Sequence, residues 1–164
     1  MSRKLLWIVF LLVCALTSPV LAQQEAGDSE IQLQGTISIS NIKGVSDSGG
    51  VSATYGRFLT LRQEVGGNVT AFLTGDGDVG GTVGPFYRFN FSSSKVVPYV
   101  GGAATTTYGD FGDGSVQWQL EGGVRFFLDR KTAFSIQGVT YQAENVDFGD
   151  QLLIILGFSH LWGR

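Results

Sequence analysis

The charged residues best placed to do chemistry are Glu64, Arg88, Glu121 and Arg125, two acids and two bases in a chain of which only 15% is charged. Each stands in a run of alternating sequence, in phase with amides and hydroxyls and out of phase with the aliphatics. On a β-strand that phase sends all four to one side of the sheet. Charges enclosed on such a face are tolerated when paired or hydrated. A Glu/Arg network is therefore expected, with Arg125 meeting Glu121 or Glu64.

Two other constellations are weaker. His160, the only histidine, follows Ser159, and a hydroxyl beside an imidazole suggests a nucleophile with its base. Neighbours on a strand point to opposite faces, and no acid shares the side of His160, so no catalysis is expected. Gly75-Asp76-Gly77-Asp78 and the run from Gly109 to Gly114 are rich in oxygen ligands. Neither completes a twelve-residue calcium loop with its closing Glu, and Gly/Asp turns explain them. No metal and no cofactor are expected.

The elements that must hold these residues are strands. From Ile31 the chain places Ile31, Leu33, Ile37 and Ile39 against Gln32, Gln34, Thr36, Ser38 and Ser40. From Ser115 to Leu128, Val116, Trp118, Leu120, Val124, Phe126 and Leu128 oppose Gln117, Gln119, Glu121, Arg125 and Phe127. Clean alternation also runs from Val79 to Phe91 and from Glu64 to Leu73. Four less regular runs, Val51 to Leu59, Val96 to Tyr108, Thr132 to Ala143 and Gln151 to Trp162, bring the count to eight.

The links alternate in length. Those around Thr60 to Arg62, Ser92 to Lys95 and Asp129 to Lys131 are tight, whereas Asn41 to Gly50, Thr74 to Asp78, Gly109 to Gly114 and Glu144 to Gly149 are longer. That order predicts an up-and-down meander with both termini on the short-turn side. Charge sorts the same way. The longer loops hold Asp47, Asp76, Asp78, Asp110, Asp113, Glu144 and Asp147 with Lys43 alone opposing, while the short turns hold Arg62, Lys95, Arg130 and Lys131.

The N-terminus has Arg3 and Lys4, an apolar run from Leu5 to Leu16, and Val20 and Ala22 at the two positions read by a signal peptidase. Export with cleavage after Ala22 is expected. Cys14 lies within the apolar run, so the mature chain has no cysteine and no disulfide. Without Arg3 and Lys4, 9 basic residues face 14 acidic ones, a net charge of −5 that gives no reason to expect a nucleic-acid partner. The organisation expected is a signal peptide over 1–22, a short periplasmic segment over 23–30 and a barrel over 31–164.

Which face is inside follows from residue type. A polar face in bulk water would be rich in Lys and Glu, but here Gln, Ser, Thr, Asn and Gly dominate, as a crowded lumen requires. The apolar face carries Tyr55, Tyr87, Phe91, Trp118, Phe126 and Trp162 toward strand ends, where interfacial girdles lie. In lipid every backbone group must be paired, so the strands must close. The fold expected is an all-β, eight-stranded antiparallel up-and-down transmembrane barrel, its lumen filled by its own side chains.

The order of Gly-Pro-Phe-Tyr-Arg-Phe (84–89), Val-Pro-Tyr-Val-Gly-Gly-Ala (97–103), Leu-Glu-Gly-Gly-Val-Arg-Phe-Phe-Leu (120–128) and Leu-Leu-Ile-Ile-Leu-Gly-Phe-Ser-His-Leu-Trp (152–162) resembles small porin-like outer-membrane β-barrel domains of the OmpA/OmpX kind. It spans the mature chain. One departure is that Gly163 and Arg164 follow Trp162, where such proteins commonly end on an aromatic. The resemblance implies a bacterial outer-membrane location, with outer-membrane lipids, lipopolysaccharide and the insertion machinery as partners and a monomeric barrel. The role expected is structural, in membrane integrity or surface interaction. The alternatives are a narrow ion or small-solute channel gated by the lumen charges, a lipid-modifying barrel enzyme and a soluble lipocalin-like binder.

Overall fold

Residues that alternate with a period of two can bury one face only, and eight such segments in succession bury it by curling around a common axis. A computed structural model describes residues 24–40, 48–74, 77–110, 114–142 and 151–163. The signal segment with Cys14, Val20 and Ala22 lies outside them, as do Lys43, Asp47, Asp76, Asp113, Glu144, Asp147 and Arg164. The strands are β1 (Ser29–Ser40), β2 (Ser48–Phe58), β3 (Gln63–Thr74), β4 (Val79–Asn90), β5 (Val96–Gly109), β6 (Val116–Phe127), β7 (Thr132–Gln142) and β8 (Gln151–Trp162). All neighbours are antiparallel. The sheet closes where β1 meets β8, from Ser29 opposite Trp162 to Ser40 opposite Gln151.

Closure removes both sheet edges, which otherwise expose a row of unpaired backbone groups. The strands run from 11 to 14 residues, enough for a tilted strand to cross a hydrocarbon layer, which needs about 9–11. Pro85 lacks an N–H, and it lies where the β4–β5 ladder lapses between the Val83–Thr106 and Phe86–Ala103 pairs.

The distribution of polarity is inverted relative to a water-soluble barrel. Leu33, Val51, Val69, Leu120, Leu156 and Phe158 project outward and are exposed. Gln32, Gln34, Thr54, Thr70, Thr105 and Gln137 project inward and are buried. The interior is not uniformly polar, however. At the short-turn end Phe58, Val97, Phe127, Ala133 and Leu161 form an apolar plug. A second apolar cluster of Val139, Leu153 and Ile155, with Phe72 and Tyr141 against it, lies toward the long-loop end. The sequence expectation of a lumen made of amides, hydroxyls and charges is thus incomplete. Polar groups fill the space between the two clusters and share the level of each, with Thr36 opposite Ile155 and Glu30 opposite Leu161.

The N-terminal residues brace the short-turn end. Gly27 donates to the Phe58 carbonyl at 2.7 Å and Phe58 N–H returns the bond to Asp28 O at 2.8 Å. Gly27 has a φ of 95°, a left-handed conformation open to glycine at little cost. The turn it makes brings the fully buried Gln24 under the barrel, where its amide donates to Leu61 O at 2.9 Å.

Candidate functional site: a buried charge cluster in the lumen

The cluster is built by register. Glu64 on β3 is directly opposite Arg88 on β4, Arg88 is opposite Gly101 on β5, and Gly101 is opposite Glu121 on β6. All point inward. Because Gly101 has no side chain, Arg88 and Glu121 meet over it: Arg88 Nε donates to Glu121 Oε1 at 2.7 Å and Nη2 to Oε2 at 3.2 Å, a bidentate pair. On its other side Arg88 Nη1 donates to Glu64 Oε2 at 3.5 Å. A Cβ placed on Gly101 would lie 2.6 Å from Glu121 Oε1.

Arg125 enters from the next inward position but one on β6. Its Nη2 donates to Glu64 Oε2 at 3.2 Å and lies 3.0 Å from Glu30 Oε2. Four of the five titratable groups are the ones that the sequence pattern points to, and the structure brings those four together. Arg125 pairs with Glu64, while Glu121 is taken by Arg88. The fifth group, Glu30, was missed because the alternation was read from Ile31, whereas β1 begins at Ser29. Extending the phase of Gln32 and Gln34 by one step reaches Glu30.

Aromatic faces complete the shell. The Arg88 guanidinium lies 4.9 Å from the Phe86 ring centre and 4.7 Å from that of Tyr99. Arg125 lies 5.7 Å from Phe58 and 5.5 Å from Tyr99. Tyr99 therefore stands between the two guanidinia, and its hydroxyl donates to Gln137 Oε1. Such contacts favour a desolvated cation. Above the cluster the hydrogen bonds are between neutral groups: Ser52 and Thr54 both donate to Gln34 Oε1, at 2.7 and 3.2 Å, and Gln119 donates to Thr105 Oγ1 at 3.0 Å. The lumen keeps a cavity of about 30 Å³ near Gln34, Thr54, Asn68, Arg88 and Gln119. That is room for a water or two.

The six aromatics selected as interfacial all face outward and are exposed. Phe91 directly follows β4, Phe126 and Trp162 stand at the short-turn ends of β6 and β8, Tyr55 and Tyr87 lie three residues inside the corresponding ends of β2 and β4, and Trp118 is near the long-loop end of β6. Tyr55 and Trp162 approach to 6.1 Å between ring centres across β1, and the Tyr55 hydroxyl is 3.3 Å from Ser29 Oγ. Tyr108 was not selected, yet it lies on the outer wall near the long-loop end, over its partner Gly81, and donates to Thr70 O at 2.9 Å.

Ser159 is buried in the lumen and His160 is exposed on the outer wall, so the barrel wall separates them. In the calcium-like loops, Asp110 Oδ2 accepts the Val79 N–H at 2.9 Å and closes the long-loop end of β4–β5. Gly75, Asp76 and residues 111–113 lie outside the described residues.

No protein-family model matches the sequence, and no curated protein matches it. Solved structures do. The N-terminal β-barrel domain of Pseudomonas aeruginosa OprF superposes with a TM-score of 0.65 at 15% identity, covering 85% of this chain and all of that one (100%). Neisserial surface protein A gives 0.59 at 12% identity, over 84% of this chain and 96% of that one. A transmembrane β-barrel designed de novo also gives 0.59, at 11% identity, over 85% and 98%. The chain has the fold of eight-stranded transmembrane barrels. A designed barrel matches as well as a natural one, so the likeness extends to architecture and not to role.

Proposed function

We propose that the mature chain is an integral β-barrel of the bacterial outer membrane, with both termini periplasmic and a structural role in membrane integrity or surface interaction. The observation that carries this reading is the inversion of polarity in a closed barrel. An outer wall of exposed Leu, Ile, Val and aromatic side chains would be costly in water over so large an area, whereas in lipid it is the required surface. The signal-like N-terminus and the fold of transmembrane barrels support the same location.

The role is structural because the lumen is filled. An apolar plug at the short-turn end, a charge cluster, and above it apolar side chains packed with hydroxyls and amides fill the described lumen, which favours a barrel that does not pass solutes by free diffusion. Nor does the reading assign catalysis, since the one Ser–His neighbour pair is split by the wall. Fractionation of the native host tests the location. The protein is expected in detergent-extracted outer membranes and is expected to migrate differently on gels with and without boiling. Recovery in the soluble periplasmic fraction, or identical mobility in both lanes, would overturn the reading. Planar-bilayer recordings test the closed lumen, with a silent bilayer expected across voltages and stepwise conductance as the contrary result.

A further inference from the structure

The five exposed cations of the described residues all gather at one end of the barrel. Arg57 projects from the outer wall of β2 beside its end, Arg62 lies in the β2–β3 turn, Lys95 in the β4–β5 turn, and Arg130 and Lys131 in the β6–β7 turn. The other described Arg residues, Arg88 and Arg125, are inside. The ion pairs formed among the described residues all belong to the lumen cluster, so the five rim cations make none there. Three acids share this end, Glu25, Asp28 and Asp129, so the five cations leave it a formal charge of 5 − 3 = +2 among the described residues. At the opposite end the described charged residues are Asp78 and Asp110, both acidic.

We propose that this short-turn rim binds the phosphate headgroups of anionic phospholipids in the leaflet that surrounds it; the proposal rests on the membrane reading above and names its lipid partner. Three features point to a leaflet rather than a protein. The cations are spread over three of the four short-turn sectors, β2, β4–β5 and β6–β7, and a compact protein epitope touches one side of a barrel whereas a leaflet surrounds it. The four in the turns lie just beyond Phe91, Phe126 and Trp162, and Arg57 is in register with Trp162 across Ser29, where aromatics occupy the boundary between acyl chains and headgroups. Long Arg and Lys stems reach from that boundary to phosphate level, and guanidinium matches phosphate oxygens two at a time. Each cation near an anionic surface raises association by about fivefold at most, less under salt. Five of them distributed around the rim select among the lipids of a mixed leaflet.

The test uses the protein refolded into phosphatidylcholine vesicles that carry a trace of spin-labelled phosphatidylglycerol or spin-labelled phosphatidylcholine, with the motionally restricted fraction read by electron paramagnetic resonance. A severalfold preference for phosphatidylglycerol is expected. It should approach one in the variant R57Q/R62Q/K95Q/R130Q/K131Q, and in the wild type at molar salt. Should the fivefold variant not fold, as judged by its gel shift on boiling, R57Q and R130Q/K131Q are each expected to lower the preference in part. Inorganic phosphate at matched ionic strength is expected to change nothing, and its competing away the preference would mean a site for the free anion and overturn the lipid assignment. An inserted wild type with no preference, or folded variants that all keep it, would overturn the proposal alone. Failure of the wild type to insert would overturn the membrane reading and the proposal together.

Discussion

Glu64 and Arg125, 61 residues apart in the chain, meet inside the barrel at 3.2 Å with both side chains buried from solvent. The same Glu64 oxygen also accepts from Arg88, so one carboxylate bridges both guanidinia. Glu30 makes the cluster three carboxylates to two guanidinia and faces Arg125 alone, its Oε2 3.0 Å from Arg125 Nη2.

Glu64→Gln and Glu30→Gln are therefore expected to differ although both remove one buried carboxyl group. Losing the bridge weakens a charge-assisted hydrogen bond to each guanidinium, worth about 1.5–3 kcal/mol apiece, while Arg88 keeps Glu121 and Arg125 keeps Glu30. Removing Glu30 leaves every carboxylate hydrogen bond to the two guanidinia in place, and a smaller loss is expected. Urea unfolding in detergent micelles measures both, and equal losses would contradict the bridging role of Glu64.

Gly56→Ala tests how tightly that bridge is held. Gly56 faces the lumen next to Glu64, and a Cβ there would collide with Glu64 Oε1. A free carboxylate would swing aside, but this one is held by Arg88 and Arg125. The substitution is expected to cost about 1–3 kcal/mol as an overpacked site. In the Glu64→Ala background the penalty should largely vanish, and a double-mutant cycle with no coupling would refute the contact.

The regular and irregular parts of the sequence carried different information. Strands with clean alternation, β1, β3, β4 and β6, revealed their faces because inward amides and charges differ from outward aliphatics. Runs such as Gln151–Trp162 were less regular because Leu153, Ile155 and Leu161 are apolar and yet face inward. These residues, with Phe58, Val97, Phe127, Ala133 and Val139, make the two apolar clusters, so the irregularity of such runs was itself a signal of apolar groups in the lumen. Pairing partners were a different matter. The position of Glu121 over Gly101, and hence its choice of Arg88 over Arg125, depends on inter-strand register, which a period of two leaves open.

The plug makes its own expectation. Phe127 is fully buried between Phe58, Val97, Ala133 and Leu161 at the short-turn end. Phe127→Ala should cost about 3–5 kcal/mol, the usual penalty for deleting a large core side chain. Because the charge cluster and the second apolar layer remain, planar bilayers should stay silent. Current through this single variant would mean that the plug alone closes the lumen.

Asp129 supplies a pH dependence outside the strands. Its carboxylate accepts the N–H groups of Lys131 at 2.7 Å and Thr132 at 2.8 Å, and these bonds hold its pKa below the ordinary 3.8. A depressed folded-state pKa contributes stability above the unfolded value that is lost as pH falls through the folded one. Asp129→Ala should therefore lower the urea midpoint at pH 7 and lose its effect toward the acid end of the Asp range. A midpoint difference that is constant from pH 7 down to pH 2 would assign the effect to turn packing instead.

Leu33 distinguishes lipid from water on the outer wall. It is the fifth of the 12 residues of β1 and is 64% exposed. On a protein surrounded by water, replacing so exposed a side chain by a charged one changes stability by no more than about 0.5 kcal/mol. Facing hydrocarbon, an arginine at the same position has to draw its charge away from the mid-membrane, at a cost of about 2–4 kcal/mol that declines toward either interface. Leu33→Arg is thus expected to destabilise strongly in bilayer vesicles, and Val51→Arg, three residues from the long-loop end of β2, clearly less. Lumen-facing Gln32 cannot serve as the control, since its amide donates to Ser135. If the two arginines on the outer wall prove equally harmless in bilayers, the apolar face is not in hydrocarbon, and the depth ordering of the pair is what ties the result to a membrane rather than to general loss of a side chain.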